Sequence, residues 1–324
     1  AAAQTIAGGA GDDTVITGTA LAYGQSIKGG EGTDILSIAQ QAASSAADAV
    51  SGFETLLLAG ALTQDVTKFS NNTFTTVTSA GGIAVNIDGI VDETVCFTTD
   101  AISASSVDLK SNSGSADSIK LKFSDTSDED FAAALTVASV ETLNIESDNS
   151  NTTITSEVDH IVDIVATSAK TINLTGDAGI NLNGGSENLT KVTTLDASGM
   201  SINKATYLGV TYASSFATNN GSVTITGSGG KDVLTGNSMT NDTISGGAGV
   251  DTITYTGGKD SFTGGAGKDV FKLTAVQDNT TADFLTITDF TAGDILDLGH
   301  ATAGIILEFD NATNGLGAKI SLAS

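Results

Sequence analysis

Proline, tryptophan and arginine are absent from this 324-residue chain, cysteine occurs once and histidine twice. The single cysteine, Cys96, excludes an intrachain disulfide framework, and so few Cys and His residues cannot close a Cys/His zinc site. Without arginine the chain lacks the usual planar partner for phosphate or for an anionic sugar. Positive charge is scarce altogether: 13 lysines face 29 Asp and nine Glu, for a formal net charge of −25. Such a field repels phosphate, so nucleic acid is not an expected partner. No apolar run approaches the roughly 18 residues of a bilayer span, and the longest is the Ala-rich decamer 131–140, so no membrane insertion is expected. Neither HExxH nor GxSxG occurs, and the expectation is that the chain is not an enzyme. The chain starts at Ala1 with no initiator Met and no charged segment leading into an apolar one, which suggests a fragment or a processed form.

What is present is a repeat. Residues 227–272 divide into GSGGKDVLT, GNSMTNDTIS, GGAGVDTIT, YTGGKDSFT and GGAGKDVFK, a nine-residue period with one extra residue in the second block. GGAGDDTVI from Gly8 and GGEGTDILS from Gly29 follow the same template, with Ile27 at the apolar position between them. In GGxGxDxUx the hexad predicts a turn and xUx a very short strand, so the blocks should coil into a parallel β-roll. Gly9, Gly11, Gly30, Gly32, Gly230, Gly247, Gly249, Gly258, Gly265 and Gly267 then serve backbone angles or close approaches that a Cβ forbids. Val15, Ile27, Leu36, Leu234, Ile244, Ile253, Phe262 and Phe271 are expected to point inward.

Successive blocks fall on opposite sides of such a coil, so blocks n and n+2 stack about 4.8 Å apart. That rule pairs Asp13 with Asp34, Asp232 with Asp251, Asp242 with Asp260, and Asp251 with Asp269. Two short carboxylates and the turn carbonyls form an oxygen-only gap, which suits Ca²⁺ with its 6–8 oxygens at about 2.3–2.6 Å. The predicted cofactor is therefore calcium, about four ions or more by this geometry, held by these aspartates and the glycine turns. Without metal the stacked carboxylates repel, and the tiny strands bury too little to offset the ordering entropy of a Gly-rich chain. Folding of the arrays is expected to depend on calcium.

These blocks resemble the calcium-binding nonapeptide of RTX proteins. Downstream, LTITDFTAGDILDLG at 285–299 resembles the segment that follows RTX arrays in proteins exported by type I secretion. That resemblance implies an uncleaved C-terminal export signal, although the usual end is not recognised before Ser324.

Between the arrays the nonapeptide disappears. VSGFETLLLAG from Val50, VASVETLNIES from Val137 and LTKVTTLDASG from Leu189 share the form V/L-x-x-F/V-x-T-L. Other Thr/Val/Ile-rich pieces start at Thr73, Ala84, Glu93, Ser118 and Lys170, and the clusters of Gly, Asn, Asp and Ser around them predict many short strands with tight turns. Only 38–50 and 128–140 read as short helix candidates. The predicted fold is all-β: an RTX-like β-roll at 1–38, a less regular β-solenoid or sandwich at 39–222, a second roll at 223–276, and a β-rich cap at 277–324.

An RTX array, FETL-type β repeats and a second array, in a chain without Arg, Pro or Trp, is similar to RTX-type bacterial surface-layer proteins. The resemblance implies a secreted protein on a Gram-negative cell surface that self-assembles into a calcium-dependent lattice. Its main partner is then itself, with any contact to cell-surface polysaccharide made through a part outside this chain. The alternative is an RTX adhesin or stalk module, and after it a glycan-active β-helix enzyme built on Asp, Lys and Tyr. His160 and His300 read as isolated surface or hydrogen-bonded residues, Cys96 as a small buried hydrophobe, and the acidic stretch 124–130 as a loop or helix start as readily as a further calcium site. The sequons at Asn71 and Asn151 are expected by chance in so Asn- and Thr-rich a chain.

Overall fold

A computed structural model describes residues 5–322, apart from 22–23, 44–46, 99–103, 112, 126–128, 151–157, 184, 186, 203, 215–220, 275–283, 300–304 and 311–316. The fold is an all-β parallel solenoid of about 11 turns. Up to Asp297 every ladder joins one strand to the second strand after it, always in parallel. Alternate strands therefore lie on opposite faces. One face is a 15-stranded sheet that runs through both arrays and the middle, and the other is divided into sheets of three and 11 strands.

Small residues and alternating apolar ones make this coil. In the first face Val15, Leu36, Leu56, Val77, Val95, Leu121, Ile145 and Leu174 stack in register, strand over strand. A second column, offset by two residues, runs Ile119, Leu143, Ile172, Leu195, Ile225, Ile244, Phe262 and Ile287. On the opposite face Tyr212, Leu234, Ile253 and Phe271 stack likewise. All of these side chains belong to one buried core. Each buried aliphatic or aromatic side chain contributes about 1.5–3 kcal/mol, which in a solenoid accrues between neighbouring turns.

Turn length varies with the sequence. In the second array Thr243 pairs with Ser261, two nonapeptides on, whereas in the middle Thr142 pairs with Thr171. There the V/L-x-x-F/V-x-T-L motif makes the corner. Val50, Phe53 and Leu56, then Val137, Val140 and Leu143, then Leu189, Val192 and Leu195 are all buried. The middle is thus a solenoid continuous with the 15-stranded sheet, and the sandwich alternative is set aside.

The helix expected at 128–140 is corrected: Glu129–Val137 is a strand. Its alanines favour a helix in isolation, but strands flank it on both sides, with Leu135 in register with Ser105 and with Ile164, and tertiary pairing overrides propensity. Of the other candidate, Ile38 and Val50 belong to strands, and the Ala47 N–H donates to Ala43 O across 44–46, which lie outside the described residues. At the far end the coil stops. The strands Ile305–Asp310 and Gly317–Leu322 pair antiparallel, the latter joining the 15-stranded sheet against Phe284–Ile287 and the former making its edge.

Candidate metal centre

The repeat turns lie along the two edges of the roll, and the register of the strands stacks them. Ile35 opposite Thr14 places Asp34 over Asp13, Ser261 opposite Thr243 places Asp260 over Asp242, and Val270 opposite Thr252 places Asp269 over Asp251. A single hydrogen-bond relation repeats through every stack. The main-chain N–H of each Asp donates to Oδ1 of the Asp one turn later: Asp13 to Asp34 at 2.8 Å, Asp232 to Asp251 at 2.9 Å, Asp242 to Asp260 at 2.8 Å and Asp251 to Asp269 at 3.0 Å. These are the four pairs the period predicts.

The second carboxylate oxygen is what matters chemically. Asp34 and Asp251 are fully buried, yet their Oδ2 atoms, like that of Asp13, meet no protein donor. A buried carboxylate oxygen without a partner is costly, so these atoms call for a cation. They also converge with main-chain carbonyls. A Cβ built on Gly8 would lie 2.6 Å from Asp13 Oδ2 and 2.5 Å from Gly29 O, and one on Gly246 would press on both Asp251 Oδ2 and Gly264 O. Only glycine leaves that space open. Among the described residues no three acidic, His or Cys side chains gather in one cluster, so carboxylates alone would not fill a shell of 6–8 oxygens and the converging main-chain carbonyls would add to it. That donor set, carbonyls with one or two carboxylates, fits Ca²⁺.

Nine of the ten predicted glycines, Gly9, Gly11, Gly30, Gly32, Gly247, Gly249, Gly258, Gly265 and Gly267, hold φ between +97° and +153°. At Gly267 a side chain would also overlap Gly249 O of the preceding turn, so both conformation and contact require glycine. Gly230 differs, because it is outside the positive-φ set and is constrained instead by Ile202 Cγ2 and Tyr207 O, each 2.8 Å from a Cβ placed there.

The ends of the stacks differ from their interiors. Asp232 begins its edge, and its carboxylate is held by the N–H groups of Val210 and Ser228 and by the Ser228 hydroxyl. Asp242 likewise accepts from Val223 N–H, Asn237 N–H and the Thr240 hydroxyl. Burial pushes the Asp232 carboxyl up to about 6 against those bonds. Burial also pushes Asp251 up to about 7, where the Asp232 N–H opposes the rise and the neighbouring Asp232 and Asp269 carboxylates add to it. Asp242 and Asp269 are raised as well, both chiefly by burial.

A family model described as RTX calcium-binding nonapeptide repeat (4 copies) matches residues 2–19, 209–238 and 240–271. The chain carries hemolysin-type RTX repeats. Repeats of this kind bind Ca²⁺. The block at 29–37 lies outside the matched segments, but its register and its Asp34 bond make it the next turn of the first array. No curated protein matches the chain.

Three acidic residues join the stacks without having been predicted. Asp294 Oδ1 accepts the Asp269 N–H at 3.0 Å and extends the second array by one turn, while Asp289 accepts the N–H groups of Gly264 and Gly265. Glu54 Oε2 accepts the Asp34 N–H at 2.7 Å. The signal for Asp294 is its spacing, because TDFTAGDIL has the length of TGGAGKDVF with Asp at the same place.

Of the remaining singled-out residues, His160 and Cys96 lie in the interior. His160 is buried with Nδ1 2.9 Å from Ser147 Oγ. Cys96 is buried, and burial pushes its thiol up to about 11. His300 and 126–128 of the acidic stretch lie outside the described residues.

Proposed function

We propose that this chain is the assembly-forming part of a calcium-dependent bacterial surface layer, exported unfolded by type I secretion and folded outside the cell by Ca²⁺. The observation that carries this reading is continuity. The 15-stranded sheet links both calcium arrays to the FETL-type middle, so metal binding at either end orders one long scaffold. RTX repeats are typical of secreted proteins, their β-roll is typically structural, and no described helix is long and apolar enough to cross a membrane.

In the proposed cycle, low cytoplasmic calcium keeps the arrays unfolded for export, and abundant external calcium fills them. Each independent site then stabilises the fold by RT ln(1 + [Ca²⁺]/Kd), about 2.7 kcal/mol at one hundred times Kd. A chain of charge −25 resists close packing with its copies, and calcium bound at its edges lowers that repulsion. The partner is another copy of the chain, with no nucleic acid and no membrane insertion.

The test is to titrate calcium into chelator-treated protein while following circular dichroism, particle size and electron micrographs of one sample. Gain of β signal followed by two-dimensional order supports a surface layer. Gain of β signal in particles that stay monomeric and elongated would remove the lattice and leave the adhesin or stalk.

A further inference from the structure

We infer that the first array holds a divalent-cation site beyond its nonapeptides, built between the Gly29–Asp34 turn and the FETL corner, with Asp34, Glu54 and the carbonyl of Gly52 as ligands. The strand register sets these groups together. Lys28 lies opposite Ser51 and Ile35 opposite Thr55, which stacks Gly29 under Gly52 and Asp34 under Glu54.

The constellation repeats that of the nonapeptide stacks. Asp34 is fully buried and its Oδ2 meets no protein donor. A Cβ on Gly29 would lie 2.5 Å from that Oδ2 and would overlap Gly52 O, so the carboxylate and the carbonyl of the next turn converge over one glycine Cα. Gly8 is crowded in the same way by Asp13 Oδ2 and Gly29 O, and Gly227 by Asp232 Oδ2 and Gly246 O. Gly52 itself has a positive φ of +71°, below the values of the repeat-turn glycines, so the corner turns by a tighter route of its own.

Glu54 takes the place of the repeat aspartate. Its Oε2 accepts the Asp34 N–H at 2.7 Å, as Asp34 Oδ1 accepts the Asp13 N–H at 2.8 Å. The corner GFE is three residues shorter than GGEGTD, and the extra methylene of Glu spans what the contracted loop no longer reaches. A carbonyl and two carboxylates, one with a buried free oxygen, make a hard oxygen site for Ca²⁺. Asp34 then belongs to two sites, one with Asp13 and one with Glu54. The inference rests on calcium binding by the arrays and is independent of any lattice.

Native mass spectrometry of the full chain at saturating calcium, with a calcium titration of each variant, provides the test. Glu54→Gln keeps an acceptor for the Asp34 N–H but removes the charge. Expected are one ion fewer for Glu54→Gln, one fewer for Asp13→Asn and two fewer for Asp34→Asn. A full ion count and an unchanged titration in Glu54→Gln would reduce Glu54 to a cap and overturn the site. Glu54→Asp is the companion should the Gln variant not fold: its shorter arm is expected to keep the count with calcium affinity at the first array weakened tenfold or more, and unchanged affinity overturns the site. A wild-type protein that bound no calcium would instead overturn the calcium reading as a whole.

Discussion

Asp232 donates its main-chain N–H to Oδ1 of Asp251 at 2.9 Å, and Oδ2 of Asp251 is left buried without a protein donor. Asp251 donates in turn to Asp269, so it stands between two stacked turns, whereas Asp232 begins the edge and is held by Val210 and Ser228. Position in the stack thus decides how many protein donors each carboxylate keeps.

Asp251→Asn is accordingly expected to damage the second array more than Asp232→Asn. Asp251 serves two gaps and Asp232 one, so at one hundred times Kd the larger loss exceeds the smaller by about 2.7 kcal/mol. Calcium titrations followed by circular dichroism give the comparison. Equal midpoints for the two variants would contradict the stacking assignment.

Acid should partly replace calcium. Burial raises Asp232 to about 6 and Asp251 to about 7, both above the ordinary carboxylate value. A raised acid in the folded state contributes stability that is present below its unfolded value near 4 and is lost as pH rises through the folded one. Chelated protein is therefore expected to melt at a higher temperature at pH 5 than at pH 8. In calcium the order reverses, because protons compete with the ion. Reduced self-repulsion of the acidic chain acts in the same direction, so Asp251→Asn is the control: it should flatten the chelated profile between pH 5 and pH 8.

Glycine substitutions separate conformation from composition. At Gly265, φ is +97° and a Cβ would overlap Gly247 O, while a Cβ on Gly229 meets nothing within 4 Å. Gly265→Ala is expected to cost about 2 kcal/mol or more, and Gly229→Ala within about 0.5 kcal/mol of nothing. Thermal melts at saturating calcium measure both. A tolerated alanine at Gly265 would mean that the turns do not stack as closely as described.

The arrays were legible because nine residues carry three constraints at once: glycines at fixed places, a carboxylate, and an apolar residue two positions later. Each limits the others, so the register of Asp251 with Asp269 followed from counting alone. Glu54 escaped that reading because GFE lacks the glycine spacing and only the strand register reveals it opposite Asp34. Asp294 escaped because its turn replaces the first two glycines with Asp289 and Phe290. In the middle, turn length varies, so the motif around Leu143 announced short strands and turns while its role as a corner and the continuity of the sheet stayed hidden. The segment 129–137 misled in the opposite direction, since local alanine content favours a helix and neighbours 29 to 31 residues away make it a strand.

Calcium removal should divide the molecule. The corners at Val137–Val140–Leu143 and Leu189–Val192–Leu195 are closed by buried apolar side chains, and the strands Ser118–Asp125, Thr142–Asn149 and Thr171–Gly176 are long enough to hold one another. The nonapeptide turns instead carry buried carboxylates, so the arrays lose most when the ion leaves. In a solenoid each turn depends on its neighbours, which lets one stretch persist while another unravels. Hydrogen exchange in chelator is expected to show protection retained across 118–200 and lost across 8–37 and 227–272, with readdition of calcium restoring it. Leu143→Ala, which removes a fully buried side chain from the middle, should lower the protected stretch by about 2–5 kcal/mol whether or not calcium is present. Uniform loss of protection along the whole chain would show that the middle has no stability of its own and that the metal sites hold every turn.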